Sequence, residues 1–412
     1  MSEAPADPLR EELPAIQVRR FPYPYRALLA ICSDLDETPD AETYFELMRF
    51  LNTTATTTMG QGVGLEVGNS IFFDMPPGHF SYWNTGEKDR EKIRALIRSG
   101  HIDCLHSFGD AATTRAHAER ALQELEQHDC RLRVWVDHAV APTNFGSDIM
   151  QGHGDDPNHP AYHADLTIRH GVRYVWRGRV TSVIGQDVPL GFGGIADWSH
   201  PAGSVRTVGK ELAKQTLARC GHAKYALHRG NQTLSSVRLR DGTQTLEFMR
   251  CNPHWKGVDT GDTGAGIGEV LTKRFLDQLV ARGGSSILYT HLGKLDRSAS
   301  RPGFNAAAIA AWRRLAEYQR AGKILVTTTR RLLDFVSMRN QVKISLNHED
   351  GGQRIQVHTS TGGMEGLTLY VPAPGKTRLF SDGGNVVPCV VNPADESGRK
   401  SISVPFAPLS FP

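Results

Sequence analysis

Two carboxylates follow an apolar, strand-like run near the start of the chain, in LLAICSDLDETPD at residues 28–40. Asp34 and Asp36 are two residues apart, so an extended backbone directs both side chains to the same face. Like charges held this close are unfavourable unless they share a proton or a cation. The pair therefore indicates metal binding or acid–base chemistry. The alternative is that one aspartate caps the next helix and the other is solvated, although Asp40 already supplies a cap.

Polar side chains also end three later strand-like runs. His106 and Asp110, in HSFGD, are four residues apart before a helix, where two side chains can bind one metal ion. Alternatively, Asp110 caps that helix and His106 is a core histidine. Asp137 and His138 end RVWVDH, and only one of them can face the functional edge of the sheet. His291 follows SSILYT, and an imidazole suits proton transfer near neutral pH unless it is hydrogen-bonded beneath a loop.

The elements that must position these side chains are parallel βα units, because strand-like and helix-like segments alternate along most of the chain. In such folds functional residues collect at the carboxyl ends of the strands. A Gly-rich stretch with an Asp241-Gly242 turn predicts a β-hairpin within an insertion. The helices stop near Asn340, and short strands and turns follow. The predicted organisation is a tail (1–20), an α/β barrel or doubly wound sheet (21–339) with a β-rich insertion (about 178–250), and a small all-β appendage (340–412).

Composition excludes some classes of protein. The 412 residues carry a formal net charge of +3 and no basic run, which gives no electrostatic case for binding nucleic acid. No apolar run approaches the roughly 20 residues that span a bilayer, and the first residues lack the apolar core of a secretory signal. Six scattered cysteines indicate reduced thiols. We expect a cytoplasmic protein, and the sequence leaves its oligomeric state open.

These motifs resemble those of the NodB-homology polysaccharide deacetylases, within the glycoside hydrolase/deacetylase β/α-barrel superfamily. CSDLDE stands where that family has a T-F-D-D motif, and the resemblance implies that Asp34 is the catalytic base and Asp36 a metal ligand. GHIDCLHSFGD is similar to the family's histidine motif through His106, with Asp110 in place of its second histidine. His138 is a further candidate that would restore a nitrogen ligand. The chain is thus identified as a divergent member.

ILYTHLG resembles the last motif of the family and implies that His291 is the general acid. Arg250 in FMRCNPHW stands in for the family's arginine-proline motif. Asp197-Trp198 in ADWSH stands in for its Asp-Trp motif. Trp83, Trp176, Trp198 and Trp255 are mostly core residues by base rate, although one or two near polar loops could stack on a sugar ring, and Trp83, Trp198 and Trp255 are the candidates for that role.

The resemblance covers residues 21–339 and implies a distorted (β/α)7-type barrel with a divalent metal, preferentially zinc. The implied activity is N- or O-deacetylation of a sugar or polysaccharide precursor. Two alternatives remain open. Paired carboxylates at a barrel mouth could hydrolyse a glycosidic bond, or an inactive barrel could bind a glycan through Trp83 and Trp198.

Overall fold

The structure is a computed structural model, and it describes residues 16–34, 37–190, 201–253, 262–296, 302–349, 352–359 and 363–412. The chain divides into two units, one formed by residues 1–24 and 337–407 and the other by residues 25–336 and 408–412. The strands before residue 330 are β1 (Gln17–Val18), β2 (Ala27–Ser33), β3 (Thr56–Thr57), β4 (Gly60–Gln61), β5 (Gly68–Ile71), β6 (Ile102–His106), β7 (Val134–Val136), β8 (Tyr174–Trp176), β9 (Val180–Thr181), β10 (Leu234–Arg238), β11 (Gln244–Phe248), β12 (Arg250–Cys251), β13 (Ser285–Thr290) and β14 (Ile324–Val326).

Helices alternate with these strands, as the sequence predicts. They are α1 (Ala41–Asn52), α2 (Glu87–Ser99), α3 (Arg115–Gln127), α4 (Ala164–His170), α5 (Pro201–Arg219), α6 (Ala226–Arg229), α7 (Ile267–Val270), α8 (Lys273–Arg282), α9 (Ala306–Arg320) and α10 (Thr329–Gln341). The predicted cap of α1 is confirmed, because Asp40 Oδ1 accepts a hydrogen bond of 2.7 Å from Thr43 N. None of the helices that the structure describes is long and apolar enough to cross a membrane.

The larger unit is built on one mixed sheet in the order β10-β11-β8-β7-β6-β5-β2-β13-β12-β9, with β14 also paired to β2. Apart from the antiparallel pair β10–β11, its neighbouring strands are parallel. The mixed α/β class predicted from the alternation is therefore confirmed. The parallel strands direct their carboxyl ends, and the polar residues that follow them, to a common edge.

β2 shows how the sequence determines which side chains lie on each face of this sheet. All seven of its residues are buried, as expected for a strand covered on both faces. Ala27, Leu29 and Ile31 pack in the apolar cluster that also holds residues of α1, α8 and α9. Because side chains alternate along a strand, Cys32 and Asp34 point to the opposite face. The first carboxylate of the sequence motif, Asp34, therefore lies on the face opposite this apolar cluster.

The predicted insertion differs from the sequence-based expectation. β10 and β11 do form the hairpin predicted from Asp241-Gly242, with Gly242 at a φ of 89°. However, the segment is not mainly β, because it contains the 19-residue helix α5. Its many glycines suggested turns, yet α5 begins at Pro201, a residue suited to the first turn of a helix. β11 also pairs with β8, so the segment contributes a strand to the main sheet.

The smaller unit is built from short strands: β15 (Lys343–Glu349), β16 (Gly352–His358), β17 (Thr368–Tyr370), β18 (Thr377–Phe380), β19 (Val386–Val387), β20 (Val390–Asn392) and β21 (Ser401–Ser403). They form two four-stranded sheets, β1-β17-β21-β20 and β15-β16-β18-β19. Gln17 and Val18, which the sequence places in a tail, form β1 because they pair with the edge of β17.

Candidate functional site

Asp34 is the centre of a polar cluster to which β5, β6 and β12 each contribute a side chain. It follows β2, is 1% exposed, and its Oδ1 accepts a 3.1 Å hydrogen bond from Ser70 Oγ on β5. The same oxygen lies 3.4 Å from Nδ1 of His106, the last residue of β6. It also lies 3.6 Å from Nη2 of Arg250, the first residue of β12. The two residues that the sequence motifs favoured most, Asp34 and His106, are therefore brought together.

The surroundings of Asp34 keep it ionised. Burial alone would raise its pKa, but the charges of His106 and Arg250 lower it to about 2. His106 is itself buried, which lowers its pKa well below the ordinary value. Arg250 stays positively charged. Burial alone would lower its pKa, but the nearby Cys32 and Asp34 raise it. At neutral pH the cluster thus contains a buried carboxylate beside a buried guanidinium.

The two ring nitrogens of His106 differ in their hydrogen bonding. Its Nδ1 lies 3.0 Å from Ser70 Oγ, and its ring stacks on Phe72 with centroids 4.1 Å apart. Its Nε2 is buried and has no hydrogen-bond partner among the residues that the structure describes. Burying a polar nitrogen without a partner is costly. An unpaired imidazole nitrogen of this kind fits a metal ligand.

His138 lies beside His106, and Asp110 lies behind it. The two imidazole centroids are 5.0 Å apart with the rings nearly perpendicular, and His138 also meets the edge of Phe72. Nδ1 of His138 is 2.8 Å from Oδ1 of Asp110. This hydrogen bond lowers the pKa of Asp110. Both candidates for the remaining metal ligand therefore reach the site, but as a hydrogen-bonded pair.

Asp137 faces away from this cluster and has a structural role. Its carboxylate accepts hydrogen bonds from Trp135 Nε1 (2.6 Å) and from the backbone nitrogens of Phe145 (2.8 Å) and Gly146 (2.7 Å). Burial raises its pKa to about 7. Of the two residues that end RVWVDH, His138 is thus the one that faces the site, and Asp137 holds the loop that follows.

The backbone is strained directly after both histidines. Ser107 and Phe108 have positive φ values of 46° and 61°, and Ala139 has a φ of 42°. A residue with a Cβ adopts this region at a cost of about 1–2 kcal/mol, and such strain concentrates at functional sites. The loop is held by Thr143, whose hydroxyl donates to the Ser107 carbonyl. Gly109 also has a positive φ and no room for a Cβ, which would lie 2.2 Å from a backbone oxygen.

His291 approaches Asp34 from the end of β13. Its Nε2 is 3.8 Å from Asp34 Oδ2, and its Nδ1 is 3.4 Å from Oδ2 of Asp262. The backbone nitrogen of His291 also donates to the carbonyl of Asp262. Asp262 is buried, although it lies in the glycine-rich loop GDTGAG. Sequence reasoning missed this carboxylate because its loop composition indicates only a turn.

Arg250 is fully buried between two aromatic rings. Its guanidinium carbon is 4.1 Å from the ring centroid of Trp176 and 4.8 Å from that of Tyr289. Its Nη2 donates to Cys32 Sγ at 3.0 Å. Two of its nitrogens, Nε and Nη1, are buried without a hydrogen-bond partner in the described part of the chain. The rings of Trp176 and Tyr289 and the carboxylate of Asp34 together stabilise the buried guanidinium.

Trp83 packs with side chains other than those of the cluster. It lies edge-on against Phe73 and Tyr82, and the Arg120 guanidinium lies 4.1 Å from its ring centroid. Among the described residues, none of those around Asp34 contacts this ring. Asp36, Asp197, Trp198 and Trp255 lie outside the described residues.

Over the described ranges, no group of three or more His, Cys, Asp or Glu side chains is arranged to hold a metal ion. The predicted ligand Asp36 lies outside those ranges, whereas the unpaired Nε2 of His106 fits such an ion. Comparisons with protein-family models, with characterised proteins and with solved structures found no match.

Proposed function

We propose that the protein is a metal-dependent hydrolase that removes an acyl group from a carbohydrate, by N- or O-deacetylation of a sugar or polysaccharide precursor. The observation that carries the proposal is the position of Asp34, which has His106 and Arg250 on one oxygen and His291 on the other. A buried base, a histidine with an unpaired nitrogen and a second histidine backed by a carboxylate are the groups that such hydrolysis needs.

The strand pairings support a distorted (β/α)7-type barrel as the scaffold. β11 pairs with β8, and β12, which begins two residues after β11 ends, pairs with β13. β13 pairs with β2, and β2, β5, β6, β7 and β8 are consecutive neighbours. A ring of these strands would bring their carboxyl ends to one mouth. The proposed site lies at that mouth.

The low pKa of Asp34 favours a metal-assisted reaction. A base with a pKa of about 2 takes a proton readily only from an unusually acidic donor. A divalent ion bound by His106 and its neighbours would supply Lewis-acid polarisation of the acyl carbonyl and of the attacking water. In this proposal Asp34 accepts the proton as the water oxygen bonds to the acyl carbon. The guanidinium of Arg250 keeps the carboxylate ionised and in position for that step.

His291 is the proposed general acid. Its Nδ1 faces Asp262 and its Nε2 faces Asp34, so the carboxylate behind it stabilises the protonated imidazole. As the bond from the acyl carbon to nitrogen or oxygen breaks, His291 donates its proton to the leaving group. The products are the free carboxylic acid and an amine or hydroxyl on the sugar. Asp262 acts through His291 and is a positioning residue.

A glycosidase has less support from the described residues. That reaction needs one protonated and one ionised carboxyl group, and the lowered pKa of Asp34 fits only the ionised one. The other carboxylate of that hypothesis, Asp36, lies outside the described residues. An inactive glycan-binding protein would not require His291 and Asp262 to meet beside Asp34.

Product analysis tests the proposal. We expect purified protein to release acetate, and no reducing sugar, from N- or O-acetylated sugars, to lose activity with a chelator and to recover it with zinc. Asp34→Asn and His106→Ala should each reduce the rate at least 100-fold. His222→Ala, at an exposed histidine, should leave it unchanged. Release of reducing sugar, or equal activity in Asp34→Asn and His222→Ala, would contradict the proposal.

A further inference from the structure

Asp110 and His138 are hydrogen-bonded to each other, and this contact distinguishes their roles at the proposed metal site. Their roles as ligands rest on the proposed function, because they concern how this chain would bind the ion. Simple replacement of a histidine by a carboxylate would make Asp110 a direct ligand. The structure instead has its Oδ1 on Nδ1 of His138 at 2.8 Å.

The hydrogen bonds define which nitrogen of each imidazole carries the proton. An ionised carboxylate accepts hydrogen bonds and donates none. Nδ1 of His138 must therefore carry the proton in its contact with Asp110. Ser70 Oγ directs its single proton to oxygens that can only accept, those of Asp34 (3.1 Å) and Ser33 (3.0 Å). Nδ1 of His106, 3.0 Å from Ser70 Oγ, must therefore carry a proton and donate it to that oxygen. The neutral form of each ring then has its lone pair on Nε2, and this is the form that binds a metal.

The spacing of the two rings matches that of two imidazoles on one ion. With metal–nitrogen distances of about 2.1 Å and a tetrahedral angle, the ring centroids would be about 5 Å apart. The centroids of His106 and His138 are 5.0 Å apart, with the planes at 82°. Phe72 contacts both rings and so helps to set their separation. The backbone directly after each histidine has positive φ values, at Ser107 and Phe108 and at Ala139.

We infer that His106 and His138 bind the divalent cation through their Nε2 atoms, and that Asp110 is not a ligand but a positioning residue that orients His138. Carboxylate–histidine–metal arrangements of this kind fix the tautomer and ring orientation of the ligand. Asp110 would have to leave His138 in order to bind the ion itself. The change from histidine to aspartate in HSFGD is thus compensated by His138, 28 residues later.

Two measurements on the full chain test this inference without relying on activity. Zinc affinity is measured by competition with a chelator, and pulsed electron paramagnetic resonance of copper-loaded protein counts coordinated imidazoles through their remote nitrogens. We expect two imidazoles in the wild type and one in His138→Ala. Asp110→Asn keeps an oxygen that can accept from Nδ1, so it should retain two imidazoles and lose less than about 10-fold in affinity. Asp110→Ala should retain two imidazoles and lose about 10- to 100-fold.

The variants separate the possible outcomes. An affinity loss that is larger for Asp110→Asn than for His138→Ala would overturn the inference, since a direct carboxylate ligand is lost when it becomes an amide. Two coordinated imidazoles in His138→Ala would also overturn it. In both cases metal binding by the wild type that is lost in His106→Ala would leave the proposed function standing. A wild type that binds neither zinc nor copper would contradict the proposed function and the inference together.

Discussion

Replacing Asp34 with Asn would leave the charge of Arg250 buried without its partner. The guanidinium is 0% exposed, and its Nη2 lies 3.6 Å from Asp34 Oδ1. At an effective dielectric constant of about 20, unit charges at this distance attract by at most about 5 kcal/mol. Removing one partner of a buried pair typically costs about 3–5 kcal/mol. We expect Asp34→Asn, which preserves the side-chain shape, to lower the free energy of unfolding by about 3 kcal/mol.

A double-mutant cycle isolates this pair. Arg250→Met keeps an apolar stem between Trp176 and Tyr289 and leaves the carboxylate unpaired, so it should cost about as much as Asp34→Asn. The double variant leaves neither charge and should cost about 2–3 kcal/mol less than the sum of the single changes. Urea unfolding followed by tryptophan fluorescence measures each free energy.

Arg331→Met is the matched control, because Arg331 is buried and paired with Glu66 rather than with Asp34. Its effect should add to that of Asp34→Asn within about 0.5 kcal/mol. A coupling energy between Asp34 and Arg250 that is no larger than this would refute the electrostatic reasoning.

Three further predictions follow from the site. Gly109→Ala should lower the free energy of unfolding by about 3 kcal/mol, because its φ is +106° and its Cβ would lie 2.2 Å from a backbone oxygen. Gly78→Ala, with a φ of +89° and nothing within 4 Å, should cost only about 1 kcal/mol in the same urea titration. Because the pKa of Asp34 is lowered from 3.8 to about 2, its contribution to stability should be complete above about pH 4 and disappear as the pH falls through about 2. Acid unfolding of Asp34→Asn should therefore lack this pH dependence. Asp262→Asn should reduce kcat on the order of 100-fold with little change in KM, because His291 would lose the carboxylate that orients it. An unchanged kcat would show that Asp262 does not position His291 for the reaction.

The sequence predicts the strand-end residues of the cluster because their positions follow from simple periodicity. The alternation of β2 directs Asp34 to the inner face, and parallel strands bring His106 and His291 to the same edge. These three residues are separated by up to 257 positions in the chain, yet each is the polar residue that ends a buried run. The α/β class follows from the same alternation.

The partners of these residues could not be predicted because they depend on contacts between strands. Ser70 is an ordinary residue of β5, and its role appears only where β5 lies between β2 and β6. Arg250 is a candidate from its sequence motif, but its contact with Asp34 could not be predicted, because its burial depends on rings from two other strands. The contact between Asp110 and His138 depends on two loops with strained backbones. No local pattern encodes such arrangements.

The most direct test of the central claim is anomalous scattering at the zinc edge from a crystal soaked in zinc. The account predicts one strong peak about 2.1 Å from His106 Nε2, within reach of Asp34 through a single water molecule. A crystal that takes up zinc only at sites remote from His106, with its Nε2 still unpaired, would contradict the claim that these strand ends form a hydrolytic metal centre.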